Sequence, residues 1–453
     1  MMAARFTVSE VRQVLGLPAG EPGRDFSSIS TDTRNLEPGA LFVALRGDRF
    51  DGAEFIDLAE RLGAAGAVVS AGSDHAEVGF PVFTVPDTTT ALGDLARHHR
   101  RRCGARVVGV TGSSGKTTVK EMLAHAVGSE RRVHATRGNL NNQVGLPLSI
   151  LAAEKDAEVW VLELGTSEPG EIERLTSIAE PDDAVITTVG PAHLEGLGDV
   201  AGVLEETLDL FRGASDSGSA VVGELPEELP KRAREVRGGV VTAGLGSGSD
   251  FRPSEWSVSP VQACFTLAGV DYSVPVGGEH HLRDALIAAA AATGLGVSPA
   301  GVARGLAEYR PVGLRGALIQ VDHLTVVADC YNANPESFAA AIRYCSEAFA
   351  GRRLAAVVGS MLELGEAESA AHAEVAADLV RAGFTFVLAL GAFQPAFRTL
   401  SLPEGVRVLN PATVQDAADV LAGELKGDEV LLVKASRGMR LEGVIDSLTG
   451  GDA

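Results

Sequence analysis

Short apolar runs alternate with stretches of helical periodicity along almost the whole chain. In residues 1–103, Ala40-Leu41-Phe42-Val43-Ala44-Leu45 and Gly66-Ala67-Val68-Val69 flank a helical stretch over 55–62, which predicts a small N-terminal α/β domain. In residues 104–309 the runs Ala105-Arg106-Val107-Val108, Ala157-Glu158-Val159-Trp160-Val161-Leu162-Glu163 and Ala184-Val185-Ile186-Thr187-Thr188-Val189 alternate with helix-like segments. That is the pattern of βαβ units around a parallel sheet. A Gly/Ser patch at 244–249 and polar alternation over 255–266 predict an antiparallel edge or an insertion within this block. The third block, 310–453, opens at Arg310-Pro311-Val312-Gly313, and its apolar runs over 324–328, 354–358, 386–390 and 430–433 predict a doubly wound, Rossmann-like sheet. The expected fold class is therefore α/β in three domains, with a central parallel sheet flanked by two smaller units.

Composition narrows the setting. The chain has 453 residues, of which 45% are apolar, and carries a net charge of −21. A charge of that sign argues against nucleic acid or an anionic membrane as a general partner. The best basic candidate for an anionic partner, His98-His99-Arg100-Arg101-Arg102, reads rather as a solvated helix end before a domain boundary. Cys103, Cys264, Cys330 and Cys345 are far apart and lack C-x-x-C spacing, so neither a disulfide framework nor a zinc site is suggested. The N-terminus lacks an apolar secretory core, and the alanine-rich run at 285–292 falls short of the roughly 18–20 residues of a spanning helix. A cytoplasmic monomer with no membrane span is expected.

Candidate chemistry begins at Gly109-Val110-Thr111-Gly112-Ser113-Ser114-Gly115-Lys116-Thr117-Thr118. An apolar run precedes it and helical periodicity over 119–127 follows, giving strand, glycine loop and helix. Glycines allow backbone N–H groups to approach phosphate oxygens, Lys116 can reach terminal phosphates, and the Thr117 hydroxyl can ligate magnesium. The strict spacing of a phosphate loop wants glycine where Val110 stands, so this loop is a variant.

Downstream lies an amide-rich loop, Thr136-Arg137-Gly138-Asn139-Leu140-Asn141-Asn142-Gln143-Val144-Gly145-Leu146-Pro147, which suits a ligand loop and a purely structural turn equally. Glu163 ends an apolar strand, where a carboxylate either holds a nucleotide's magnesium or is an ordinary strand-end acid. His193, in Gly190-Pro191-Ala192-His193-Leu194-Glu195-Gly196, follows another strand and is either a structural histidine or a third group at that metal. Asp329-Cys330-Tyr331-Asn332-Ala333-Asn334-Pro335 and Lys434-Ala435-Ser436-Arg437-Gly438-Met439 end strands of the third block. Each supplies groups suited to a polar or anionic ligand, or forms a plain turn.

Taken in this order, the motifs resemble the Mur ligase family over nearly the whole chain. The N-terminal Ser30-Thr31-Asp32-Thr33-Arg34 and Pro38-Gly39-Ala40-Leu41-Phe42-Val43-Ala44-Leu45 resemble that family's uridine-nucleotide domain, and the loop from Gly109 to Thr118 has its phosphate-loop spacing. The run Tyr331-Asn332-Ala333-Asn334-Pro335 and Met361-Leu362-Glu363-Leu364-Gly365 match the branch that adds D-alanyl-D-alanine. The resemblance implies ATP-driven amide formation with Mg2+: a UDP-MurNAc-tripeptide carboxylate becomes an acyl phosphate, and the amine of D-Ala-D-Ala displaces phosphate. By the same resemblance Lys116, Glu163 and His193 are catalytic, with Thr117, Glu163 and His193 at the metal. Gly112, Ser113, Ser114, Gly115, Lys116, Thr117, Thr118, Asn139, Asn142, His281, Asp284, Arg315 and Asp329 are expected to bind the nucleotide. Ser30, Thr33, Arg34, Asn332, Asn334, Ser436 and Arg437 are expected to bind the substrates.

Three departures stand out against the family pattern. Where the family places a carbamylated lysine serving a second magnesium, this chain has Thr207, and no lysine occurs between Lys155 and Lys231. That leaves Glu205, Glu206 or Asp209 to hold the ion, or a weakly bound one. His281 and Asp284 stand where the adenine-side motif has asparagines, which exchanges an amide at 284 for a carboxylate. Ala53 replaces the histidine of an N-terminal Asp-Gly-His. These changes leave room for a nucleotide-binding relative with impaired catalysis, or for a ligase acting on another acidic peptide.

Overall fold

The computed structural model describes residues 4–21, 23–47 and 50–450. In the N-terminal unit a four-stranded parallel sheet runs in the order Ile29–Ser30, Leu41–Val43, Gly66–Ser70, Val82–Val85. Strand side chains alternate between faces, so Phe42, Ala67 and Val69 meet the helix Ile56–Arg61 on one side. Leu41, Val43 and Val68 face the long helix Thr88–Arg102 on the other.

That helix is shared with the central unit, where it packs on the helices Gly145–Leu151 and Glu171–Ala179, and one apolar cluster runs from Phe6, Leu92 and Leu95 into Leu146, Ile150 and Leu175. The basic cluster at its end is solvated only in part: Arg101 and Arg102 are exposed, as the sequence reading has them, but His99 is buried and all three arginines are engaged. Arg100 donates to Ala179 O, Glu180 O and the Asp182 carboxylate, Arg101 pairs with Glu180, and Arg102 pairs with Glu10. His99 is buried against Trp160. Its partners lie far away in sequence, so the cluster is the seam between two units.

The central sheet is six-stranded and parallel, in the order Val240–Ala243, Ala220–Gly223, Asp183–Ile186, Arg106–Thr111, Val159–Glu163, Val133–Ala135. Val108, Val110, Val161 and Val185 face the helices Lys116–Gly128, Glu279–Gly294 and Pro299–Glu308. Trp160, Leu162, Ala184 and Ile186 face the opposite layer. The alternation expected near 255–266 is a three-stranded antiparallel sheet, Glu255–Val258, Ala263–Leu267 and Val270–Val274.

In the C-terminal unit the strand order is Ala317–Val321, Leu324–Asp329, Val430–Lys434, Leu354–Val358, Phe384–Ala389, Arg407–Leu409. The first two form an antiparallel hairpin and the rest are parallel. Helices cover both faces: Ala356 and Val358 pack with Phe338, Val375 and Phe393, while Ala355 and Val357 pack with Leu421, Val444 and Ile445. The doubly wound arrangement is as expected, and the edge hairpin, which turns at Asp322 with φ 52°, is additional.

Candidate active site

The strand Arg106–Thr111 lies between Asp183–Ile186 and Val159–Glu163, and ligands of open α/β sheets bind beyond the carboxyl ends of such strands. Beyond it the loop turns at Gly112, φ 138°, and Gly115, φ 80°, backbone conformations that a side chain would strain. A Cβ on Gly115 would also come within 2.5 Å of Asp284 Oδ1. The neighbouring strand pins the loop: Ser113 N donates to Thr188 O at 2.8 Å, and the Thr187 hydroxyl donates to Ser114 O at 2.5 Å. Lys116 Nζ donates back to Gly112 O at 2.5 Å. Burial in the cleft pulls its ammonium below the usual lysine range, a shift that the Glu163 charge opposes.

Glu163 is 1% exposed and both its oxygens are held. The Thr117 hydroxyl donates to Oε2 at 2.8 Å, and Asn141 Nδ2 donates to Oε1 at 2.8 Å. The amide-rich loop thus divides its duties. Asn142 Oδ1 accepts from Gly145 N at 2.8 Å and starts the following helix, Asn141 steadies Glu163, and Asn139 faces the cavity. A hydroxyl and a buried carboxylate beside a phosphate loop fit magnesium, which takes one or two protein oxygens together with substrate phosphates rather than a full protein cage. Accordingly, no group of three or more His, Cys, Asp or Glu placed to hold a metal occurs among the described residues.

The C-terminal unit closes over this loop. Asn334 Nδ2 donates to Ser114 Oγ at 3.1 Å, the Thr188 hydroxyl donates to Glu336 Oε2 at 3.2 Å, and the Tyr344 hydroxyl donates to Pro260 O at 2.5 Å. His193 Nδ1 and Glu363 Oε2 are 2.5 Å apart. Between the units lies a cavity of about 940 Å³. The structure brings to its walls Ser113, Ser114, Gly115, Lys116, Thr117, Thr118, Asn139, Asn142, Glu163, His193, His281, Asp284, Arg315, Asp329, Asn332, Asn334, Ser436 and Arg437. Gly112 sits behind the loop as its turn.

Ser30, Thr33 and Arg34 do not reach this cavity. They lie on the N-terminal unit, where the Ser30 hydroxyl donates to Asp32 O and Arg34 forms an exposed pair with Asp32. Hydrogen bonds from Arg34 hold the Asp32 carboxyl down to about 2.

Several readings change. Lys434 is not a free cation: it is buried and paired with Asp329 at 2.5 Å. Thr207 is buried, donates to Val203 O at 2.6 Å and lies outside the cavity walls. The three nearby acids are already engaged. Glu205 pairs with Arg212 and Arg232, Asp209 pairs with Arg212, and Glu206 accepts from Gly170 N and Ile172 N. They tie the helix Val200–Gly213 to its neighbours.

Sequence reasoning missed Glu336 and the role of Glu363, which reach the site from another domain. Glu336 is raised above the ordinary carboxylate range by burial. Asp284 is raised well above it by burial first and by Glu336 second. His281 Nδ1 lies 2.7 Å from Gly277 O, and burial lowers its affinity for a proton. At the mouth of the cavity Tyr331 has the Arg315 guanidinium 3.8 Å from its ring centre and that of Arg437 at 5.4 Å.

A phosphate loop on a parallel sheet, closed by a Rossmann-like domain, defines a three-domain nucleotide-dependent ligase, and the chain belongs to the Mur ligase family. Family models match residues 25–100 (Mur ligase family, catalytic domain), 110–292 (Mur ligase middle domain) and 315–437 (Mur ligase, glutamate ligase domain). Within the family, the chain is 36% identical over 428 residues to UDP-N-acetylmuramoyl-tripeptide--D-alanyl-D-alanine ligase of Bacillus subtilis, covering 93% of this chain and 92% of that one. It is 33% identical to the ligase of the same name from Escherichia coli, covering 98% of both. MurF from Acinetobacter baumannii superposes with a TM-score of 0.88 at 29% identity, over 99% of this chain and 100% of that one. MurF ligase from Thermotoga maritima in complex with ADP superposes with a TM-score of 0.82 at 30% identity, over 93% and 97%.

Proposed function

We propose that this chain is the ATP-dependent ligase that joins D-alanyl-D-alanine to UDP-N-acetylmuramoyl-tripeptide in peptidoglycan precursor synthesis. The observation that carries the reading is the contact between Asn334 and Ser114. It sets the Tyr331–Pro335 turn of one domain directly on the phosphate loop of another, so amine and phosphoryl donor meet in one cavity.

In the first step a carboxylate oxygen of the tripeptide attacks the γ-phosphorus, the bond to the β–γ bridging oxygen breaks, and ADP leaves. In the second, the dipeptide's amine attacks the acyl carbon, a tetrahedral intermediate forms, and phosphate is expelled as the amine proton is lost. Lys116 offsets charge on the transferring phosphoryl group, and Glu163 opposes the loss of its proton that burial favours. Magnesium would be held by the Thr117 hydroxyl and the Glu163 carboxylate with His193 beside them, and would neutralise phosphate charge. Asn139, Asn142, His281, Asp284, Arg315 and Asp329 bind the nucleotide. Asn332, Asn334, Ser436 and Arg437 receive the dipeptide and the acyl group, while Ser30, Thr33 and Arg34 receive the uridine nucleotide. Closure of the C-terminal domain excludes water from an acyl phosphate that would otherwise hydrolyse. The reading implies a cytoplasmic monomer with domain boundaries near residues 103 and 309.

The test is phosphate release with ATP, UDP-MurNAc-tripeptide and D-Ala-D-Ala over a magnesium titration. Release that requires all three supports the reading. Because Thr207 and Asp284 depart from the family pattern, the assay is run beside Thr207→Lys. Silence at every magnesium concentration, relieved by that substitution, selects a nucleotide-binding relative with impaired catalysis, and release dependent on another amine selects a different substrate.

A further inference from the structure

His193 and Glu363 lie 170 positions apart, one in each of the two domains that form the cleft, with His193 Nδ1 2.5 Å from Glu363 Oε2. Both are non-glycine residues with left-handed backbones, φ 54° at His193 and φ 64° at Glu363. Such conformations persist only where surrounding contacts hold them, and they gather at functional sites. The contacts here are mutual. Glu195 N donates to Glu363 O at 3.2 Å, and a Cβ on Gly365, φ 54°, would lie 3.3 Å from Glu195 Cα, so the two backbones are laid against each other.

At that separation a carboxylate oxygen accepts from a ring N–H, so Nδ1 is the donor nitrogen and Nε2 is the lone-pair nitrogen of the neutral ring. Nε2 has no protein partner among the described residues, and the ring lines the same cavity as Thr117 and Glu163.

Resting on the reading of this cleft as a magnesium-nucleotide site, we propose that Glu363 is a positioning residue: it fixes the tautomer and rotation of His193, and does so only when the C-terminal domain is docked. The metal-side wall of the cleft is then complete only in the closed molecule, which ties ion affinity to domain closure. Outer partners of this kind typically change metal affinity by about 10–100-fold when removed.

The experiment is calorimetric ADP binding by the full chain over a magnesium titration, for the wild type, Glu363→Ala, Glu363→Gln and His193→Ala, each checked for an unchanged melting transition. Glu363→Ala is expected to raise the magnesium concentration for half-maximal enhancement of ADP binding by about tenfold, with magnesium-free ADP affinity unchanged. Glu363→Gln, whose amide oxygen still accepts from Nδ1, should recover most of that shift. In the His193→Ala background the alanine at 363 should add nothing. Magnesium-dependent binding that ignores Glu363→Ala, a fall in magnesium-free affinity by the same factor, or additive effects with His193→Ala would each overturn the proposal alone. Wild-type ADP binding that ignores magnesium would overturn the underlying reading of the cleft as well.

Discussion

Lys116 in the cleft wall and the buried His99 are both basic groups drawn away from water, yet their surroundings give them opposite fates. Lys116 keeps a carboxylate, Glu163, within electrostatic reach, so its charge is available to a phosphoryl group. Lys116→Met should lower kcat/KM on the order of 10²–10³-fold while the melting temperature stays within a few degrees, since the loss is one of transition-state charge stabilisation. His99 has no such partner. It stacks on Trp160 at 6.1 Å, and burial, followed by the Arg102 charge, pushes it down to about 4.

The unfolded chain binds this proton near pH 6.5, so between about pH 6.5 and about 4 the unfolded state holds more protons than the folded one. The stability from a neutral His99 is therefore fully present above pH 6.5 and is lost as pH falls through that window, by about 1.4 kcal/mol per pH unit. His99→Phe keeps the stacking ring and removes the titration. Urea unfolding between pH 7 and pH 5 should show a shallower loss in the variant, and equal slopes would exclude His99 as the group responsible.

Among the elements, the helix Pro335–Ala348 couples fold to site through its first residue. Asn334 Oδ1 accepts from Ser337 N at 2.8 Å and caps the helix, while its Nδ2 donates to Ser114 Oγ. The two duties can be separated. Asn334→Ala should cost about 0.5–2 kcal/mol of stability and weaken nucleotide binding, whereas Asn334→Asp keeps the cap and loses only the donated bond. If the aspartate variant bound ADP like the wild type, the docking role of Asn334 would be wrong.

This helix also marks what the sequence could reveal. The phosphate loop and the apolar runs Leu354–Val358 and Val430–Lys434 are local, so spacing and composition expose them, whereas Asn334-Pro335, which reads from sequence as a turn, is the start of this helix. Other elements have no period to read. The strand Ile29–Ser30 is two residues long, and the hairpin turn at Asp322 lacks glycine. The choice of Asn141 rather than its neighbours to hold Glu163, and the partners of Arg100 at Ala179, Glu180 and Asp182, are set by packing between segments far apart in the chain. Local propensity carries no trace of them.

At the level of the whole molecule the two seams are built differently, and that difference assigns the motion. The first is crossed by a continuous apolar cluster from Phe6 to Leu175 and by Arg100. No apolar cluster of the described residues crosses the second, whose clusters begin beyond residue 313. Its contacts around the cavity are polar: Asn334 to Ser114, Thr188 to Glu336, Tyr344 to Pro260, and His193 to Glu363. The connecting segment carries Gly313 and Gly316 at φ 65° and 70°, where backbone rotation is least hindered.

The N-terminal and central units should therefore move as one body and the C-terminal unit as another. Each neutral hydrogen bond contributes only about 0.5–1.5 kcal/mol net, so cutting one shifts the docking equilibrium by roughly two- to tenfold. Tyr344→Phe and Thr188→Val remove two of these bonds without touching Lys116 or Glu163. Water should then reach the acyl phosphate before the amine does, and phosphate released per amide bond formed should rise above the wild-type ratio, most in the double variant. Parallel assays of phosphate and of dipeptide incorporation measure that ratio directly. A ratio that stays constant while both rates fall together would mean that the polar seam positions substrates but is not what keeps water out.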